Sequence, residues 1–290
     1  MPMPKIWSFG SINADHAYRV PHIPAPGETI AAREYSLGLG GKGANQSVAA
    51  AKAGATVAHV GLIGPEGLWA KERLAALGVD TQHIMQSATP TGHAIITVDE
   101  TGENGITIFP GANRAFADAQ LNALATEARP GDLLILQNET NLQAEAARIA
   151  VKQGLTVLYS AAPFSAQATS EVLPHISLLL LNEIEAAQLN AAVGTLPSGI
   201  TVVVTKGSSG ADWTSPDQTL HCPAFPVKPV DTTGAGDTFA GYLAAAIAEG
   251  QSPEAAMRLA SAAAALKVTR KGTADAIPSR AEVDAFLASV

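Results

Sequence analysis

Charge is scarce in this 290-residue chain: charged residues make up 15% of it, with 26 acidic side chains against 18 basic ones. The net charge of −8 argues against nucleic acid as the main partner, because neutralising phosphates needs a basic footprint. An acidic chain can still bind a phosphorylated ligand through local backbone amides and a metal. Cys222 is the only cysteine, which excludes an internal disulfide and a CxxC metal site. Long apolar runs are missing too, and none reaches membrane-spanning length. The opening Met1-Pro-Met-Pro-Lys-Ile-Trp7 lacks the apolar core and small-residue cleavage site of a leader, so no membrane partner is expected and the cytoplasm is the default. The seven histidines show no HExxH or paired-ligand spacing, which gives no support for zinc. No G-x-S-x-G elbow supports a hydrolase triad. Aromatics stand at 5%, leaving Ala, Gly and Val to build the interior.

What is present suits close packing of helices on a sheet. At 47% hydrophobic residues, the chain can bury a large core, as one large domain or two smaller ones. Short apolar runs at 6–9, 56–62, 133–137, 155–160, 178–181 and 201–205 read as buried strands. Ala-rich periodic stretches at 45–53, 68–77, 141–153, 183–189, 238–249 and 253–269 read as helices. Gly54, Gly154 and Gly250 each follow one of them, where a left-handed C-cap is expected. Strands alternating with helices predict an α/β fold, a parallel sheet covered on both faces. Two stretches break the rhythm, 28–37 and 92–109, the second with a hairpin signal at Asp99-Glu-Thr-Gly102. They read as a small sheet projecting from the main domain, either a lid over a site or an ordinary edge hairpin.

Asp231-Thr-Thr-Gly-Ala-Gly-Asp237 feeds an apolar helix through a glycine-rich turn. Such a turn leaves backbone N–H groups of Gly234, Ala235 and Gly236 unpaired, with the helix dipole behind them, which makes an anion site. Asp237 at its mouth fits two roles, a base beside a transferring phosphoryl group or a simple helix cap. Gly38-Leu-Gly-Gly-Lys-Gly43 formally matches G-x-G-x-x-G. A dinucleotide fingerprint would also need an acidic residue ending a second strand about 20 residues later, and none is there. Nor is it a Walker A loop, since Lys42 precedes Gly43 and not Ser or Thr. It is either a structural turn or one that presents amides, Lys42 and Asn45 to a polyhydroxylated or anionic ligand. Asn13, Asp15 and Glu139 follow apolar strands, where parallel sheets line their ligand crevice, although such residues are also common in solvated loops. Asn182 can cap a helix, with Glu185 one turn on, and Thr205-Lys-Gly-Ser-Ser-Gly210 makes a third glycine-rich turn.

In their order, these segments resemble the ribokinase-like, or phosphofructokinase-B, family of carbohydrate kinases. The resemblance rests on Gly10-Ser-Ile-Asn-Ala-Asp-His16, Pro26-Gly-Glu-Thr29, Gly40-Gly-Lys-Gly-Ala-Asn-Gln46, Gly111-Ala-Asn113, Asn182-Glu-Ile-Glu185, Asp231 to Phe239 and Val268-Thr-Arg-Lys-Gly272, and it spans nearly the whole chain. It implies one Rossmann-like kinase domain over residues 1–290, with a β-lid at about 14–38 and 92–110 that pairs with another lid in a homodimer. It implies ATP-dependent phosphorylation of D-ribose or a close small sugar, Asp237 taking the proton of the terminal hydroxyl and the amides of Gly234, Ala235 and Gly236 stabilising the phosphoryl oxygens. Asn13, Asp15, Gly41, Lys42, Asn45 and Glu139 would hold the sugar. Asn182, Thr205, Lys206, Gly207, Ser208, Gly210 and Ser261 would contact ATP, with Glu185 near Mg²⁺. Asp231, Thr233, Lys267, Arg270 and Gly272 match the family's site for a monovalent cation, K⁺.

Several positions depart from the family pattern. Ala276 stands where a serine is usual at the cation site, and Ser261 where a His or Asn is common beside the adenine. Gly64-Pro-Glu-Gly67 and Tyr159-Ser-Ala-Ala-Pro163 replace familiar loops, and the link from Leu189 to Gly199 reads as abbreviated, as if a peripheral helix were missing. These bear on the sugar and the cation and leave the reaction class untouched.

Overall fold

Alternation along the buried strands sends successive side chains into two separate cores, one on each face of a central sheet. In the computed structural model, which describes residues 3–194, 196 and 198–290, this sheet has nine strands. In chain order the strands of the molecule are β1 (Ile6–Phe9), β2 (Asn13–Arg19), β3 (Glu34–Gly40), β4 (Val57–Ile63), β5 (Ile84–Gln86), β6 (Gly92–Val98) and β7 (Asn104–Phe109). They continue with β8 (Leu133–Gln137), β9 (Thr156–Ser160), β10 (Leu178–Asn182), β11 (Thr201–Thr205), β12 (Ala211–Thr214) and β13 (Thr219–Cys222). The helices are α1 (Lys42–Lys52), α2 (Leu68–Ala76), α3 (Asp118–Thr126), α4 (Gln143–Lys152), α5 (Ala166–Val172), α6 (Glu183–Val193), α7 (Ala235–Ala248), α8 (Pro253–Val268) and α9 (Arg280–Leu287).

The large sheet runs β13-β12-β11-β10-β9-β8-β1-β4-β5, parallel from β11 through β5. On β8, Leu133 and Ile135 join the core under α1, α7 and α8, while Leu134 and Leu136 join the core under α3 and α4. Each such leucine contributes roughly 1.5–3 kcal/mol by leaving water. The small residues of the first layer let its helices approach closely: a Cβ on Gly241 of α7 would collide with the Ala49 methyl and, at 2.5 Å, with the Gln46 carbonyl of α1.

The sheet departs from the sequence-based expectation at its far edge. Two short strands, β12 and β13, add to it antiparallel, with too few residues to show a period. Helices α3, α5 and α9 also escape the sequence reading. They are short, of seven to nine residues, and caps such as Ser165 and Ser279, each accepting from an amide three residues on, define two of them. Helix α6 continues past Leu189 to Val193. In the link that follows, Thr195 and Pro197 lie outside the described residues, as do Met1 and Pro2 at the start of the chain.

A second sheet has the order β3-β2-β6-β7. It includes Asn13–Arg19, which falls at the start of the lid expected at about 14–38, and it excludes 28–33, which the sequence suggests as β. Strand β2 sits between antiparallel β3 and parallel β6, so Asn13 and Asp15 share one face of it. The hairpin between β6 and β7 closes as its signal implies, the Asp99 carboxylate accepting from the amides of Thr101 and Glu103.

Candidate active site

In the order of the large sheet, β1 stands between β4 and β8, so the chain's crossovers leave it in opposite directions and open a crevice at the carboxyl ends. Ser11 follows β1 and Glu139 follows β8. The Ser11 hydroxyl donates to Glu139 Oε2 at 2.5 Å, tying the two lips of the crevice together. The same oxygen accepts the amide of Lys42, the first residue of α1, at 2.9 Å. Asn13 is buried, and its Oδ1 accepts from Asn113 Nδ2 at 2.7 Å, while Asn113 Oδ1 takes the Ile12 amide. Gly40 faces Asp15 across the small sheet, and a side chain on it would overlap the Asp15 carboxylate.

Asp237 lies opposite, in the first turn of α7, behind Gly234 with its left-handed φ of 74°. It is buried, and α1 holds both of its oxygens: Asn45 Nδ2 donates to Oδ2 and Gln46 Nε2 to Oδ1, each at 3.1 Å. Gln46 in turn accepts from Gln137 Nε2 at 2.9 Å, so β8 steadies the residue that steadies Asp237. Gln46 and Gln137 are absent from the sequence-based site. The signal was adjacency, since one follows Asn45 and the other ends a strand, but glutamine carries no chemistry of its own to single it out. Asn45 Oδ1 is buried with no partner among the described residues, which a polar ligand would satisfy.

Electrostatically the centre is a Lys among carboxylates. Lys42 is held above its ordinary range chiefly by Asp237, against burial, with help from Glu139 and Glu185. Burial, then the charges of Glu139 and Asp237, push Asp15 up to about 7.

Two cavities meet at this centre. One, of about 210 Å³, is lined by Lys42, Ser160, Asn182, Glu185, Gly234, Gly236 and Asp237. The other, of about 770 Å³, is largely apolar and is walled by Phe225, Pro226, Val227, Ala264 and Val268, with Ser261 and the turn Gly207, Ser208 and Gly210. Asn182, Thr205 and Gly236 line both, so the two spaces adjoin. Asn182 Oδ1 accepts the Glu185 amide, and Glu185 Oε2 accepts the Asn182 amide, both at 2.9 Å. That leaves the second carboxylate oxygen of Glu185 beside the smaller cavity. Lys206 lines neither cavity; its ammonium pairs with Asp212. The Ala235 amide is engaged by the Thr232 carbonyl at 3.2 Å, so of the three amides expected at the anion turn, those of Gly234 and Gly236 remain for a ligand.

These features together make a phosphoryl-transfer site: a buried carboxylate at a helix N-terminus, a polar cluster before it and an apolar pocket behind. The sequence matches the model of the pfkB family carbohydrate kinases over residues 3–280. The chain belongs to that family. The kinase is 39% identical to a ribokinase of Haemophilus influenzae over 297 aligned residues, covering 96% of each. It is 33% identical to a deoxyribokinase of Salmonella typhimurium, covering 91% of this chain and 92% of the relative. It superposes on the Arabidopsis thaliana ribokinase complexed with ribose and ATP with a TM-score of 0.88, at 31% identity and 99% coverage of both.

The residues matched to a monovalent-cation site also gather in the kinase, and several of their oxygens are already engaged by the chain itself. Asp231 Oδ1 accepts the Thr233 amide at 2.9 Å and Oδ2 the Gly272 amide at 3.0 Å. These amides outweigh the effect of partial burial and hold Asp231 below the ordinary carboxylate range. The Lys267 carbonyl accepts from the Arg270 amide at 3.0 Å. The Lys267 side chain is fully buried, and its ammonium donates to the Asp231 carbonyl at 3.0 Å. The Ala276 side chain carries no oxygen to offer a cation.

Proposed function

We propose that this kinase transfers the γ-phosphoryl group of ATP to the terminal hydroxyl of D-ribose, giving ribose 5-phosphate and ADP. One observation carries the reading: Asp237, its two oxygens fixed by Asn45 and Gln46, lines the smaller polar cavity, and its neighbour Gly236 lines both that cavity and the larger apolar one. Ribose hydroxyls would be held by Asn13, Asp15, Lys42, Asn45 and Glu139, with Gly41 giving the backbone room to approach. Asp237 takes the proton of the attacking hydroxyl, and the amides of Gly234 and Gly236 meet the charge on the phosphoryl oxygens. The adenine lies in the larger cavity beside Ser261, and the phosphates run past Asn182 and Thr205 to the anion turn. Magnesium arriving with the nucleotide supplies charge neutralisation, and Glu185 fits a water-mediated contact to it, since Mg²⁺ keeps several waters and takes few protein carboxylates. A mobile monovalent cation is not part of this reading, because the loop at Asp231 already carries a positive group.

The small sheet serves as lid and dimer surface. Cross-strand partners share a face. The face of β2 that bears Asp15 turns to the site, whereas the opposite face carries His16, Tyr18, Tyr35, Leu37, Ile95 and Phe109. Of these, Tyr35, Leu37, Ile95 and Phe109 are exposed, an apolar patch of the kind that a second copy covers. Among the described residues no helix is long and apolar enough to cross a membrane.

A coupled assay for ADP release with ribose, 2-deoxyribose, fructose and 2-keto-3-deoxygluconate tests the substrate. Ribose should give the highest kcat/KM. Equal or better turnover of 2-deoxyribose would move the assignment to the deoxy sugar, and preference for a ketose or sugar acid would overturn it.

A further inference from the structure

A buried ammonium is costly unless something uses its charge, and lysine is among the residues least often fully buried. Lys267 ends α8, and its side chain has no exposed surface. The end of this helix is stitched to the loop that precedes the anion turn: the Val268 carbonyl accepts the amides of both Val230 and Asp231, at 2.7 and 3.0 Å. Into that junction Lys267 delivers its Nζ, 3.0 Å from the Asp231 carbonyl oxygen. An ammonium has three donors and no acceptor, and among the described residues this one makes a single hydrogen bond. It stands at the start of the segment whose far end carries Gly234, Gly236 and Asp237. A carbonyl-lined loop that lacks a hydroxyl at Ala276 and already holds a positive nitrogen is poorly suited to a second cation.

We propose that Lys267 is a positioning residue that supplies, from within the chain, the positive charge a bound monovalent cation would otherwise bring to the 231–236 loop, so that this enzyme works without potassium. The inference rests on the reading of the chain as a sugar kinase. The fixed ammonium anchors the Asp231 carbonyl and keeps the anion turn facing the phosphoryl group. It does so at every salt composition, because it cannot dissociate.

The test compares KCl with tetramethylammonium chloride at equal ionic strength, ~0.1 M, for the wild-type protein and Lys267→Ala. Two quantities are read, the rate of ribose phosphorylation and the melting temperature without substrate, so a wrong sugar assignment leaves the second intact. Wild-type protein should show the same rate and melting temperature in both salts. Lys267→Ala should lose activity in tetramethylammonium and recover about tenfold in KCl, with a melting temperature that rises with K⁺ as a newly opened site fills. A wild-type rate or melting temperature that climbs with K⁺ overturns the proposal. So does a folded Lys267→Ala protein no more responsive to K⁺ than wild type. If that variant does not fold, Lys267→Met retains an unbranched apolar stem; unimpaired turnover by Lys267→Met in tetramethylammonium would equally overturn it.

Discussion

Asn45 and Asp237 are separated by 192 residues, and the Asn45 side-chain amide donates to Asp237 Oδ2 at 3.1 Å. One residue belongs to the first helix and the other to the seventh, so the contact joins the turn proposed to hold the sugar to the glycine-rich turn before α7. With Gln46 on the second oxygen, the carboxylate has a fixed plane. Replacing Asp237 by Asn keeps its volume and removes its basicity. The turnover number should fall by about 10²–10⁴-fold, while ribose binding measured calorimetrically persists. Undiminished turnover would remove Asp237 from the chemistry.

Gln46 is fully buried and links Gln137 to Asp237. Gln46→Leu leaves the Gln137 amide without its acceptor and one Asp237 oxygen without its donor. Stranding a buried polar group costs about 1–3 kcal/mol, which urea denaturation at neutral pH should resolve. Because the plane of the base is also released, kcat should drop more than the KM for ATP changes.

Asp15 gives the enzyme a pH signature. Its carboxyl titrates near 7 in the fold, raised by burial and by Glu139 and Asp237, against 3.8 ordinarily. Between these values the folded chain holds a proton that the unfolded chain has released, so stability falls as pH rises from about 4 towards 7. Asp15→Asn should therefore raise the unfolding free energy by a few kcal/mol at most, on the order of the linkage term, and the melting temperature with it, most at pH 8 and progressively less towards pH 4. The same substitution should weaken ribose binding. In the wild-type protein, ribose affinity should improve as the pH passes upward through 7 and the carboxylate becomes able to accept sugar hydroxyls. A melting-temperature gain that does not depend on pH would contradict this account.

Leu37 lies exposed amid the aromatic face of the small sheet, near Tyr35 and Ile95. Leu37→Glu places a charge in the proposed dimer contact and should convert a dimer into a monomer in sedimentation velocity. Wild-type protein that sediments as a monomer at micromolar concentration would exclude the contact.

Most of the large sheet was legible because its strands are buried on both faces and read as continuous apolar runs. Strands β8 and β11 begin and end at the residues that the runs suggest. The three glycines expected to close helices, Gly54, Gly154 and Gly250, have φ of 101°, 80° and 74°. Legibility failed where local pattern and tertiary setting part company. Asn13-Ala-Asp-His-Ala-Tyr-Arg19 enters the expected lid through the family resemblance alone, because its strand rests on hydrogen bonds that β3 and β6 supply. The carboxylates, Lys42 and the glycine turns of the site were visible through their chemistry. Gln46 and Gln137 were not, since their role exists only once α1 and β8 are side by side. Lys267 was matched to the cation site through its carbonyl, and nothing in the sequence tells that its side chain turns back toward Asp231.

The close packing of α1 on α7 has one more consequence. Asn45, Gln46 and Asp237 are borne by those two helices, and Gly241, one turn beyond Asp237, lets them touch through Ala49 and the Gln46 backbone. The distance between the proton acceptor and the amides that aim it is thus inherited from the thickness of an alanine–glycine contact. A single methyl group added at Gly241, which lines neither cavity, would retune the proposed reaction by prising apart its two supports.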